Sequence, residues 1–175
     1  MFSILEKTMQ SHEIQNGSEH TDYGHALLEM VEAADGLAAA VARSFPETLR
    51  RIVARVVGDG PEADQALAEG GFVMNGSTVV LRLNPETSFV EFFCDVGQPD
   101  AYSLEGAYRT ALEANLCRTF PGITLGIHPE SGRLVATLAL NGLMVDDEGF
   151  CMMLLETLTL RVTQIRESGM FKFEC

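Results

Sequence analysis

The chain lacks tryptophan entirely and is poor in positive charge, with 12 Lys and Arg against 25 Asp and Glu, a formal net charge of -13. A surface so acidic repels phosphate backbones, so nucleic-acid binding through a basic footprint is excluded as an expectation. Attraction to anionic lipid is disfavoured for the same reason. Long hydrophobic runs are also missing: nothing approaches the roughly eighteen consecutive apolar residues of a membrane span. The opening "MFSILEKTMQ" has no basic start followed by a long apolar stretch, so no secretory signal is read there. Cysteine is sparse and unpaired in spacing. Cys94, Cys117, Cys151 and Cys175 are therefore read as reduced thiols of a cytosolic protein, most of them small core residues.

Reactive constellations are equally scarce. His128 with Cys94 or Cys117 would make a thiolate–imidazole couple. The plainer reading is that His128 closes a strand at a turn and the cysteines fill gaps. His12, His20 and His25 have irregular spacing that does not suit a metal site. The run Asp146-Asp147-Glu148 lacks the alternating ligands and glycine of a calcium loop, and helix capping explains it better. "GDGPEAD" does not sit between a strand and a helix, as a phosphate loop would. The expectation is a protein that is not an enzyme and uses no cofactor or metal.

What the chain has is apolar material: 46% of its residues are hydrophobic despite the acidity, and mean hydropathy is +0.10. Disordered acidic chains are poor in such residues, so this one is expected to fold. The surplus must enter a core, an oligomer interface or an exposed binding patch.

The pattern along the chain gives the order of elements. Residues 1–21 are polar and aperiodic, a loose extension. From Tyr23 to Arg43, Leu27, Leu28, Val31, Ala34, Ala38 and Val41 recur at helical steps, with Asp22 as a cap. Ser44 and Glu47 fit a capping box, with Pro46 harmless in the first turn, and predict a new helix with the stripe Leu49, Ile52, Val53, Val56 and Val57. Gly58 ends it, and a connector runs to Gly71. Strands are predicted at Phe72–Met74, Thr78–Leu83 and Phe89–Val96, the first two joined by the favoured Asn75-Gly76 turn. In the third, Val90, Phe92, Cys94 and Val96 form an apolar face for the core; Phe89, Glu91, Phe93 and Asp95 face the other way.

Ser103 is expected to cap a helix running through Leu116, with small residues that flatten its surface for close helix–helix contact. "GITLGIH" and "RLVATLAL" then alternate as strands around the turn "PESG". Asp146 is expected to cap a last helix presenting Phe150, Met153, Leu154, Leu158, Arg161, Val162 and Ile165 on one face. The fold class is α+β: an antiparallel twisted sheet with helices in the order α-β-β-β-α-β-β-α, plus an extra N-terminal helix. The expected organisation is an extension over 1–44 with a helix at about 23–43, an α+β domain over 45–168 and a tail over 169–175.

The stretch "LEGAYRTALEANLCRTFPGITLGIHPESGRLVATLAL" resembles the class I chaperones of type III secretion, the Tir-chaperone family. The likeness spans about Pro46 to Ser168 and is carried by Leu112, Asn115, Leu116, Leu125, Gly126, Pro129, Gly132 and Leu134. It departs at the N-terminus, where about 45 residues precede the family's usual first helix, and in the long connector from Gly58 to Gly71.

The resemblance implies a cytoplasmic bacterial homodimer without ATPase activity. Such a chaperone binds the N-terminal region of a secreted effector, keeps it soluble and secretion-competent, and delivers it to the export apparatus, with the secretion-system ATPase as a further partner. By the family pattern the dimer contact falls on Leu104, Tyr108, Ala111, Leu112, Asn115 and Leu116; the alternative is that this helix packs on its own sheet. The effector surface is expected on the outer strand face at Val80, Phe89, Phe93 and Val135, with Phe72 at the edge. The alternative there is burial under the helix at 23–43, acting as a built-in mimic of the client. The competing functions are a protein-interaction or regulatory module of the same fold without a secreted client, and a small enzyme using the cysteines and His128.

Overall fold

The computed structural model describes the secondary structure of residues 16–174 and the side-chain surroundings of residues 36–174, Tyr102 apart. Of the loose stretch expected over 1–21, residues 16–21 are helical instead; its residues 1–15, the side chains of Leu27, Leu28, Val31 and Ala34, and Cys175 lie outside the described residues. The chain divides into two units, residues 1–40 and 41–175.

Turn chemistry places the strands of the second unit. Asn75 and Gly76 take φ of 51° and 72°, the paired left-handed conformations that join strands β1 (Phe72–Met74) and β2 (Ser77–Asn84) tightly. Asn84 turns the chain into β3 (Phe89–Gly97), its side-chain oxygen accepting from the backbone N–H groups of Glu86 and Thr87 at 3.0 and 3.3 Å. At the third hairpin His128 N–H donates to Arg133 O, joining β4 (Thr124–Ile127) to β5 (Leu134–Asn141). All pairings are antiparallel and the strand order is β1-β2-β3-β5-β4. The fold is α+β, as expected.

Four helices are described: α1 (Asn16–Val57), α2 (Pro61–Glu69), α3 (Leu104–Leu116) and α4 (Glu148–Glu167). One helix replaces two at the N-terminal end. The expected cap at Asp22 and break at Ser44 are absent, because α1 begins at Asn16 and runs on through Pro46. Ser44 Oγ donates to Val41 O at 3.3 Å, a bond within the helix rather than a cap. The reason is burial: Val41, Thr48, Ile52 and Val53 are buried and Phe45 packs beside them, so one stripe continues past the proline. Continuous packing outweighs the roughly 3 kcal/mol that an interior proline costs. The connector after Gly58 contains α2, with Pro61 in its first turn and Gly70 at φ 73° closing it.

Two other caps differ from expectation. Asp147, not Asp146, caps α4, accepting from Phe150 N–H at 3.0 Å. Asp146 instead accepts from Thr48 Oγ1 at 3.1 Å, tying α1 to the start of α4. Ser103 makes no side-chain cap; its hydroxyl donates to Asp100 O at 3.0 Å.

The core lies on one face of the sheet. Val79 and Leu81 of β2, Val90, Phe92, Cys94 and Val96 of β3, and Leu134 and Ala136 of β5 are buried against Ile52 and Val53 of α1 and Leu155, Leu158, Val162 and Ile165 of α4. Arg166 fastens the end of α4 to the strands, donating to Val96 O at 2.7 Å and Asp95 O at 2.8 Å. Gly142 packs against Val41 and Ser88 so closely that an added Cβ would sit 2.7 Å from Ser88 O. Residues 169–174 are more than a tail: Phe171 is buried, and Glu174 N–H donates to Gln98 O at 3.0 Å.

Candidate functional site

The pleat that buries one face of β3 turns the intervening side chains to the other. Cross-strand register then assembles them into rows. Val80 of β2 stands opposite Phe93 of β3, Phe93 opposite Thr137 of β5, and Thr137 opposite Thr124 of β4. In the flanking rows Arg82 opposes Glu91, and Asp95 opposes Val135. Val80, Phe93 and Val135 thus share a hollow of about 620 Å³, rimmed by Arg82, His128 and Arg133. A second hollow of about 320 Å³ adjoins it beyond Phe93, towards Glu91 and Thr124.

Of the five residues expected to meet a client, the structure brings these three together. Phe89 lies on the same face, exposed, but at the far end of β3 beside Asn84 and Asn141. Phe72 is corrected: it is 5% exposed and belongs to the core cluster, because its register opposite Val79 turns it to the inner face. Its exposed strand neighbour is Val73.

Helix α3 presents a separate surface. Tyr108, Leu112 and Leu116, spaced by four, are 46%, 63% and 83% exposed. Leu104 continues this stripe half-buried. Ala111 and Asn115 do not belong to it. Ala107, Ala111 and Ala114 are buried, and α3 packs on β4, so the small residues expected to serve another helix bring α3 close to its own sheet. Asn115 holds the edge strand: its Nδ2 donates to Leu125 O and its Oδ1 accepts from Leu125 N–H, both at 2.8 Å. A side-chain amide so placed mimics a neighbouring strand and closes β4 at that point. Spacing alone could not find this role, since the two partners are ten residues apart around a turn.

Cys94 and His128 do not meet as a thiol–imidazole couple. Cys94 is fully buried on the inner face, where burial pushes its thiol up to about 11, while His128 rims the hollow outside. Cys151 is likewise buried and raised to about 11, its thiol directed to Val145 O. Cys117 is exposed at the end of α3. Among the described residues no helix is long and apolar enough to cross a membrane.

No protein-family model matches the chain, and comparison with curated proteins finds no match. Among solved structures it is similar to a chain of the "Crystal Structure of the ExsC-ExsE Complex", with a TM-score of 0.50 and 13% sequence identity, over 69% of this chain and 92% of that one. At that identity the likeness is one of fold: the chain folds as does a protein solved together with a partner.

Proposed function

We propose that this chain is a type III secretion chaperone: a protein that binds an effector before export, holds its N-terminal region extended and delivers it to the secretion apparatus and its ATPase. The observation that carries the reading is the open apolar hollow at Val80, Phe93 and Val135 on an otherwise acidic chain. Three further features support it. The fold resembles that of a chain of the ExsC-ExsE complex, a protein solved bound to a partner. The sequence resembles the same family. The stripe Leu104, Tyr108, Leu112 and Leu116 has the form of a homodimer seam.

The work proposed is binding, without catalysis, in the bacterial cytoplasm. Covering a Leu or Phe removes enough apolar area to contribute about 1.5–3 kcal/mol. A few such anchors offset the 2–5 kcal/mol or so needed to order a disordered segment. The surplus negative charge keeps a molecule with exposed apolar patches in solution.

The test is co-expression with neighbouring genes in the native host, followed by purification of the wild-type chain and of the Phe93→Ser variant. The reading expects one abundant companion that is also found outside the cell, that is lost from the variant, and whose binding is lost when its own N-terminal region is deleted. A companion that never leaves the cell would sink it. Light scattering on the same samples gives the mass of the chaperone part, expected to be that of a dimer.

A further inference from the structure

The hollow on the outer sheet face has an apolar floor and a cationic rim, in a chain with 12 Lys and Arg against 25 acids. The acid beside it is already occupied. Both carboxylate oxygens of Asp95 accept from the Arg133 guanidinium, at 2.8 and 2.5 Å. This pairing also raises the Arg133 pKa, so the two charges cancel. Arg82 is different. It is exposed at the rim, and among the described residues it has no ion-pair partner. Its cross-strand neighbour Glu91 accepts from Asn84 Nδ2 at 3.4 Å and lines the adjoining hollow. Among the described residues, then, Arg82 offers the rim of the Val80–Phe93–Val135 floor a guanidinium held in no ion pair.

Resting on the client-binding reading, we infer that this hollow recognises an extended segment of a partner protein in which an aliphatic or aromatic side chain is followed or preceded, two residues away, by a carboxylate. The spacing comes from the pleat. Val80 and Arg82 are neighbours on one face of β2, about 6.8 Å apart, and an extended segment lying along the strand repeats that distance. The apolar side chain covers the floor while the carboxylate meets Arg82. The long-range field of a chain at -13 repels acids, so the preference is confined to this one position of the segment. Elsewhere along it, basic residues suit the surface better.

The experiment uses fluorescence anisotropy on the full chain with two short labelled peptides. They are identical except that the residue two positions from a single Leu is Glu in one and Lys in the other. The Glu peptide is expected to bind about two- to fivefold more tightly at low salt, the range of an exposed ion pair. Arg82→Glu should reverse the order, Arg82→Gln should erase it, and Phe93→Ser should weaken both peptides. Arg82 is exposed, so its two variants are expected to keep the wild-type circular dichroism. A Lys peptide that binds more tightly, an order unmoved by Arg82→Glu, or no binding of either peptide overturns the inference. The co-purified companion separates the two levels. If Phe93→Ser releases it and Arg82→Glu does not, the acid anchor falls and the chaperone reading stands. If Phe93→Ser leaves it bound, the reading of this face falls as well.

Discussion

Phe92 and Phe93 are adjacent on β3, yet one is fully buried and the other lines an open hollow. The strand backbone is the same; the difference lies in what covers each face. Helices α1 and α4 seal the inner side, where Val90, Phe92, Cys94 and Val96 are at most 1% exposed. On the outer side Val80 and Phe89 keep 37% and 39% of their surface. Alternation in sequence separates two faces without saying which is covered. An aromatic on the uncovered face is a cost to solubility, and a binding partner would recover it.

The sharpest test of the comparison is to truncate each ring. Phe92→Ala should destabilise the fold by about 3–5 kcal/mol in urea unfolding, through lost transfer energy and the cavity left in the core. Phe93→Ala, at a half-buried ring, should cost clearly less, about 1–2 kcal/mol, while abolishing the proposed client binding. Equal losses from the two would erase the distinction between the faces.

A second apolar surface, the α3 stripe, extends the contrast. Replacing both Leu112 and Leu116 with Asp should convert the proposed dimer to a monomer in light scattering, weakening association at least about a hundredfold, because each leucine would count twice across a two-fold seam on this stripe. Circular dichroism should be unchanged. Asn115→Ala probes the flank of the same helix that reaches β4. It leaves the Leu125 N–H and C=O without their partner and should cost about 1–3 kcal/mol, with the freed edge of β4 increasing self-association.

The smallest effect expected is that of pH. Burial lifts the Cys94 and Cys151 thiols from an ordinary 9.0 to about 11. The neutral thiol is the form the folded core favours, so this contribution is complete below pH 9 and is lost as pH rises towards 11. Urea midpoints should fall modestly across that window. At pH 8 a thiol reagent should modify exposed Cys117 well before Cys94 or Cys151.

Local signals in the sequence located most elements. Asn75-Gly76 marked a hairpin because its two left-handed residues serve little else, and the period-two pattern of β3 assigned every inward residue correctly. Signals failed where a distant contact decided. Ser44, Glu47 and Pro46 together spell a helix start, but Val41, Phe45, Thr48 and Ile52 pack as one stripe and the helix runs through. Asp146 reads as a cap until Thr48, 98 positions away, claims its carboxylate. In the candidate site, Val80, Phe93 and Val135 were readable as outward residues, whereas Phe72 was misplaced, because its inward direction depends on its register with Val79.

By itself the sequence determined the acidity, the surplus of apolar residues, the strand alternation and the turns, since each depends on composition or on neighbours a few residues apart. Tertiary structure alone decided that Val80, Phe93 and Val135 share one hollow, that Arg82 stands at its rim, and that Asn115 closes a strand edge. Those relations follow from strand register and helix docking, which bring together residues far apart in the chain and are set by the burial of the whole core at once.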